Sequence, residues 1–277
     1  MKNDISIIII NYNTYRLTKE AIQSVIEKTK GCTYEIIVVD NHSDEDASPL
    51  REQFPFINYI QSDKNLGFAA GNNLGIQNAK GEYVLLLNSD TLLKNDAVSI
   101  ILNYLKKNPK LAVASSRLEF PDGRLQHACQ RFPSIKYLGI ELFRLQKLWS
   151  KEKRGRVLLG AFFDHKTAII SDWVWGTFFM FKRDLLKQLP EGKLSKTFFM
   201  YGEDRQWCME FRKLGYEVGY EPRAQVIHLM GASNGEKEKW IKENEEKFLQ
   251  LYYPLAEQLL IKFMNRLLRV RLKSIKN

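Results

Sequence analysis

Strand-like apolar runs alternate with amphipathic segments over the first 115 residues. Ile5–Ile10 is an unbroken β-branched run, and Glu35–Val39 is a second. Between them Leu17, Ala21 and Val25 recur at helical spacing, with Ile22 and Ile26 beside them; Gly31 is placed to stop that helix. Ile57–Ile60 reads as a shorter strand, Phe68–Ala79 as a glycine-rich helix and Tyr83–Leu87 as a buried strand. Asp96–Lys107 reads as a helix and Leu111–Ala114 as another strand. Apolar runs separated by amphipathic helices predict an α/β fold with a mostly parallel central sheet flanked by helices. The pattern weakens over 116–170, and Arg131–Arg156, with eight Lys/Arg against two Asp/Glu, reads as an excursion or lid. Order returns at Trp173–Phe181. A helix follows Glu203, with Trp207, Phe211 and Leu214 on one face and Gly215 as its stop, then a short strand at Ala224–His228. Glu236–Lys273 is mostly helical. The organisation expected is one domain over 1–235, with a nucleotide-binding half (1–115) and an acceptor-binding, catalytic half (116–235). A basic helical extension follows over 236–277.

Composition narrows the classes. A chain of 277 residues with 44% hydrophobic and 27% charged residues is ordinary globular material, neither disordered nor fibrous. No apolar stretch reaches the roughly 18 residues of a spanning helix. Met1-Lys2-Asn3-Asp4 runs straight into a strand, so no signal peptide is expected. Cys32, Cys129 and Cys208 are an odd count without a CxxC pair and read as free thiols of a reducing compartment. The net charge of +10 is uneven: residues 1–100 hold 9 Lys/Arg against 13 Asp/Glu, and residues 101–277 hold 33 against 19. A basic half faces nucleic acid, an anionic membrane or a phosphate-bearing substrate, or is simply solvated. No nucleic-acid motif is recognisable, so nucleic acid is not an expected partner.

Candidate chemistry sits where polar residues end the strands, because ligands of open parallel sheets lie beyond the carboxyl ends. Ile5–Ile10 runs into Asn11-Tyr12-Asn13, Glu35–Val39 into Asp40-Asn41-His42-Ser43, and Tyr83–Leu87 into Asn88-Ser89-Asp90. Any one of these is compatible with a turn or helix cap; three at one edge suggest a binding crevice. GxGxxG after the first strand and GxxxxGK[ST] are both absent, which disfavours a classical dinucleotide dehydrogenase and a P-loop NTPase. Asp40 is suited to accept the N3–H of a uracil or thymine. The small residues of Asn65-Leu66-Gly67-Phe68-Ala69-Ala70-Gly71-Asn72-Asn73 would let backbone approach a diphosphate. One carboxylate, Asp90, beside a diphosphate fits the habits of Mg²⁺.

Together these segments resemble the successive motifs of family 2 glycosyltransferases, with the rhamnosyltransferase-like branch nearest. The resemblance continues through Trp175-Gly176-Thr177-Phe178-Phe179-Met180, Phe198-Phe199-Met200-Tyr201-Gly202-Glu203-Asp204 and Val226-Ile227-His228, with Gly231-Ala232-Ser233. It implies a GT-A (Rossmann-like) fold, a nucleoside-diphosphate sugar donor, a divalent cation (Mg²⁺ or Mn²⁺) and inversion at the anomeric carbon. Asn11 and Asp40 match nucleotide-binding positions, Asp90 the last acid of a DxD motif and Asp204 the catalytic base. His228 matches a histidine that assists the metal or diphosphate. The chain departs from the family pattern at Asn88, at Gln206 and over Leu189–Thr197, the last two on the acceptor side.

The candidate donor contacts are therefore Asn11, Tyr12, Asn13, Asp40, Asn65, Gly67, Gly71, Asn73, Asn88, Ser89 and Asp90. Asp204 is the expected general base with Glu203 orienting the acceptor, Asp90 and His228 are expected to hold the metal, and Trp175 and Gly176 to meet the acceptor. The donor expected is a dTDP- or UDP-sugar, with rhamnose the first sugar, and the acceptor a glycan or lipid-linked oligosaccharide. Leu255, Leu259, Phe263, Leu267 and Val270 share a helical face, while Lys262, Arg266, Arg269, Arg271, Lys273 and Lys276 oppose only Glu257. Such a helix predicts peripheral contact with an anionic membrane, on the inner, cytoplasmic face. The rival readings are a catalytically silent nucleotide-sugar binder and a basic nucleic-acid binder.

Overall fold

The computed structural model describes residues 3–46, 48–229 and 237–276, with side chains of the last helix described through Arg271. Gly231-Ala232-Ser233 and the side chains of Lys273 and Lys276 lie outside the described residues.

Strands β1 (Ile5–Asn11), β2 (Tyr34–Asp40), β3 (Asn58–Gln61) and β4 (Tyr83–Asn88) form a parallel half-sheet in the order β3-β2-β1-β4. They alternate with helices α1 (Tyr15–Lys28), α2 (Ser48–Gln53) and α3 (Gly67–Gln77). The short β5 (Thr91–Leu93), helix α4 (Ala97–Lys107) and β6 (Leu111–Glu119) follow. The weakly patterned stretch is ordered as β7 (Leu125–Gln126), β8 (Cys129–Gln130), α5 (Ile135–Leu142), a 3₁₀ turn at Leu145–Leu148, α6 (Lys151–Leu158) and β9 (Ile169–Ser171). Then come β10 (Trp173–Val174), β11 (Phe178–Lys182), α7 (Glu203–Lys213), β12 (Glu217–His228), α8 (Lys237–Tyr252) and α9 (Leu255–Lys276).

The second half of the sheet is mixed. β11 inserts between β4 and β6, antiparallel to both, and β12 runs parallel to β6. β5 closes the edge antiparallel to β12, with His228 opposite Thr91. Pro222 falls where the β6–β12 register breaks, between Glu221 and Gln225, since proline cannot donate to a ladder.

Continuous apolar strands suit a sheet covered on both faces. Along β1, Ile7 and Ile9 pack with Ala21, Ile22 and Val25 of α1 and Ile101 of α4. Ile8 faces the other way, among Ala69 and Ile76 of α3 and Trp207 and Phe211 of α7. The glycines of α3 let it lie close to the sheet: a Cβ on Gly75 would stand 2.6 Å from Ile8 Cγ2. Asp96 caps α4, its carboxylate accepting from Ser99 N.

Several local expectations shift. Gly31 is not the helix stop: α1 ends at Lys28, and the Gly31 N–H donates to Asp96 Oδ2 at 2.9 Å. Leu214 is exposed at the end of α7, because Gly215 takes a positive φ of 89° there and the chain turns away. The ordered stretch at Trp173–Phe181 is two strands, β10 and β11. The helical C-terminus breaks at Pro254, which has no N–H to continue a helix.

Candidate active site

The carboxyl ends of β1, β2 and β4 lie side by side, with Asn11 opposite Asp40 and Ile10 opposite Asn88. Asn11 Nδ2 donates to Asp40 Oδ2 at 2.8 Å and to Ser43 Oγ at 3.0 Å. Asp40 Oδ1 accepts from Ser43 N and Gln61 Nε2 at 2.8 and 3.1 Å. Asn11 Oδ1 accepts from the hydroxyls of Thr18 and Thr14. Both residues are 1% exposed. They form a satisfied buried network that shapes the β1 and β2 exit loops, leaving Tyr12 and Asn13 exposed at the rim. Thr14 Oγ1 carries the network on to Ser89 Oγ, 3.1 Å away.

The glycine-rich segment serves two purposes. Asn65 Oδ1 accepts from Asn41 Nδ2 and from Gly67 N, bracing the entry to α3. Gly67 has φ +74°, and a Cβ there would meet Phe199 O at 2.5 Å. Gly71 packs toward Ile10 and Asn41. Asn73 is turned away from this edge: its buried amide holds the backbone of Leu194 with Nδ2–O and N–Oδ1 distances of 2.8 and 3.1 Å. The Leu189–Thr197 segment is fastened there, and by Trp207 Nε1 donating to Ser195 O.

Asp90 and His228 meet, with Nε2–Oδ1 at 3.4 Å, although 138 positions separate them. His228 Nδ1 is 2.7 Å from Gln126 Oε1, and Gln126 Nε2 donates to His228 O at 2.7 Å. That second bond fixes which end of the Gln126 amide faces the ring, so Nδ1 carries the hydrogen. The Nε2 lone pair then faces the Asp90 carboxylate, an arrangement that suits a cation between them. Asn88 Oδ1, on the same loop as Asp90, is buried without a hydrogen-bond partner. A carboxylate, an oriented imidazole and an orphan amide oxygen suit a divalent cation that completes its shell with phosphate oxygens and water. Among the described residues no cluster of three or more His, Cys, Asp or Glu forms a self-contained metal site.

Asp204 opens α7, whose N-cap Gly202 has φ +109°. Asp204 Oδ2 accepts from Gly176 N at 2.9 Å, and Oδ1 from Arg205 N at 2.7 Å. Gly176 is held between Phe68 and Asp204; a Cβ there would meet Phe68 Cε1 at 3.3 Å and Asp204 Cβ at 3.4 Å. Burial raises the Asp204 carboxyl above its ordinary range, opposed by the Gly176 and Arg205 N–H groups and the Arg205 charge. Glu203 is buried, its Oε2 has no partner, and burial together with the Asp204 charge pushes its carboxyl up as well. Trp175, half-buried, packs against the core on the β1–α1 side of the sheet, its backbone N–H donating to Ala128 O.

The two halves join directly. Asn88 N donates to Thr177 O, so the Asp90 loop and the Gly176 turn that holds Asp204 leave the β4–β11 pair at the same end. Asp40, Asp90 and Asp204 thus belong to one sheet edge. The α8 helix reaches the site from behind: Asn244 Nδ2 donates to the carbonyls of Met200 and Tyr201, just ahead of Asp204. Gln206 donates to Thr197 Oγ1, Glu210 Oε1 and Tyr252 OH, tying α7 to α8. Gln126 and Asn244 escaped the sequence reading. Each is a lone amide whose partner lies 102 or 44 residues away, and no local pattern marks it.

A sequence profile described as Glycosyl transferase family 2 matches residues 6–189. An uncharacterized glycosyltransferase of Rickettsia felis is 38% identical over 107 residues, 38% of this chain and 17% of that protein. The poly-beta-1,6-N-acetyl-D-glucosamine synthase of Staphylococcus epidermidis is 24% identical over 262 residues, 90% of this chain and 57% of that protein. The low-salt glycan biosynthesis hexosyltransferase of Haloferax volcanii is 26% identical over 234 residues, 82% and 68% respectively. The chain spans less than two thirds of the length of the first two.

Proposed function

Because the chain belongs to glycosyl transferase family 2, we propose that it moves a sugar from a nucleoside diphosphate onto a hydroxyl of a growing glycan or lipid-linked oligosaccharide, with inversion at the anomeric carbon. The observation that carries this reading is the Asp204 carboxylate, braced by the Gly176 and Arg205 N–H groups at the sheet edge that also bears Asp90 and His228.

Each Asp204 oxygen accepts one backbone hydrogen bond and keeps a lone pair for a further proton. Burial makes the carboxylate more basic than a solvated one, which suits it to take the acceptor hydroxyl's proton as that oxygen attacks. Such general-base assistance is worth roughly 10²–10⁴-fold in rate. The attack enters from the face opposite the leaving diphosphate. Glu203, raised by the same burial, holds back a second negative charge beside the base at moderate pH. On the donor side, Tyr12, Asn13 and Ser89 are accessible to the nucleoside and diphosphate, framed by the Asn11–Asp40 network. Asp90, His228 and Asn88 Oδ1 would hold Mg²⁺ or Mn²⁺, which supplies charge compensation for the departing diphosphate. Gln126 keeps His228 Nε2 turned toward Asp90. Rhamnose on dTDP is the first donor on the motif resemblance, with a UDP-sugar next.

The test is a screen of nucleotide sugars for metal-dependent thermal stabilisation and slow donor hydrolysis, followed by transfer assays on Asp204→Asn. The variant should bind donor normally and lose transfer by roughly 10²–10⁴-fold. Near-normal turnover by Asp204→Asn removes Asp204 as the base.

A further inference from the structure

Helix α9 is apolar on two opposite faces. Ile261 and Met264 are 0% and 7% exposed, and Gly139 of α5 lies against Met264. About half a turn around, Leu259, Phe263 and Val270 are 60%, 57% and 61% exposed, with Leu255 exposed on the same stripe. At 3.6 residues per turn this second stripe runs from Leu255 to Val270. Lys262 and Arg269, both exposed, lie along one border of it, and Arg266, also exposed, lies within it. Next to the end of α9, Arg271 Nη1 donates to Leu142 O and anchors the following turn. That turn exposes Phe143 and Leu148 with Arg144 and Lys147 between them. A helix that has already buried one face in the protein needs no second apolar face for folding.

We propose that this outer face of α9, with the 143–148 turn, docks on an anionic lipid bilayer, its apolar side chains entering the interface and its basic border meeting the headgroups. Charge selects this occupant. A second copy docked face to face by a two-fold axis would set Lys262, Arg266 and Arg269 near their own counterparts, and residues 101–277 carry 33 Lys/Arg against 19 Asp/Glu. An anionic surface converts the same charges into attraction. No helix among the described residues is long and apolar enough to cross a membrane, so the contact is a surface one. It is independent of the transfer reading: donor hydrolysis, followed in parallel, reports on the sheet edge and not on α9.

The experiment is sedimentation of the full chain with phosphatidylcholine vesicles, with and without phosphatidylglycerol, at low and high salt. The unaltered chain should prefer the anionic vesicles by roughly tenfold or more and release them as salt rises. Lys262→Gln/Arg266→Gln/Arg269→Gln and, separately, Phe263→Gln/Val270→Gln should each lower that binding by roughly tenfold, with the thermal midpoint and donor hydrolysis unchanged. Equal affinity for both vesicle types, or none for either, overturns the proposal. So does a dimer in sedimentation equilibrium that Phe263→Gln/Val270→Gln dissociates, since a second copy then covers the face.

Discussion

Gln126→Leu tests the metal-side reasoning most directly. Leucine fills nearly the same volume but removes both hydrogen bonds to His228, the Oε1 acceptor at Nδ1 and the Nε2 donor at the backbone oxygen. Gln126 and His228 are 2% and 6% exposed, so water does not replace either partner. Leaving one buried polar group unpaired costs about 1–3 kcal/mol. Two such groups give a loss of about 2–6 kcal/mol in unfolding free energy, reduced if the ring turns over to recover one bond. A turned ring puts its Cε1 where Nε2 had faced Asp90 and can no longer coordinate there. Loss of such an outer partner lowers metal affinity by roughly 10–100-fold. Mn²⁺ titration followed by electron paramagnetic resonance, in the presence of the nucleoside diphosphate, reads the affinity; urea unfolding reads the stability. Gln126→Glu separates the two effects, because it keeps an acceptor for Nδ1 and loses only the donor to the carbonyl, so it should retain most of the Mn²⁺ affinity. Mn²⁺ binding by Gln126→Leu within roughly twofold of the unaltered protein would refute the orientation argument.

Glu203→Gln should stabilise the fold at neutral pH by about 1–3 kcal/mol, read from its thermal midpoint. The folded Glu203 carboxyl titrates above its usual 4.5, so its contribution to stability is fullest below that pH and is lost as pH rises toward the raised value. The gain from the substitution should therefore vanish near pH 4, and a gain that persists there counts against burial as its cause. The raised Asp204 carboxyl should place the acid limb of kcat/KM above the ordinary 3.8 of an aspartate, and a limb at or below that value contradicts its role as base. Gly67→Ala should cost about 2–3 kcal/mol in urea unfolding, from a left-handed alanine and a strained Phe68 N–Phe199 O bond. A loss under about 0.5 kcal/mol shows that the Phe199 loop yields freely.

The parallel half-sheet was legible because its strands are buried on both faces and so are written as unbroken apolar runs; β1, β2 and β4 begin and end within one residue of expectation. β11 was not. The apolar run Trp173–Phe181 hides the turn at Trp175-Gly176-Thr177, and nothing local says that its second part slots between β4 and β6. Polar strand ends identified the sheet edge, but residue type does not say which way an amide turns. Asn11 and Asp40 sit at that edge yet satisfy each other, while Asn73 fastens Leu194. Gly71 shows the same ambiguity, its missing side chain serving contact with Ile10 and Asn41. Contacts such as Gln126–His228 and Asn244–Met200 are products of the fold, and a single sequence carries no trace of them.

The insertion of β11 also sets an order of events during synthesis. β4 and β6 emerge early, yet each must wait for residues 178–182 before its flank is covered. Until the ribosome has delivered that stretch, two unsatisfied strand borders of a largely apolar layer stay open to solvent and to one another. A chain stalled or cleaved between residues 120 and 175 would therefore leave a sticky half-product, a natural client for chaperones.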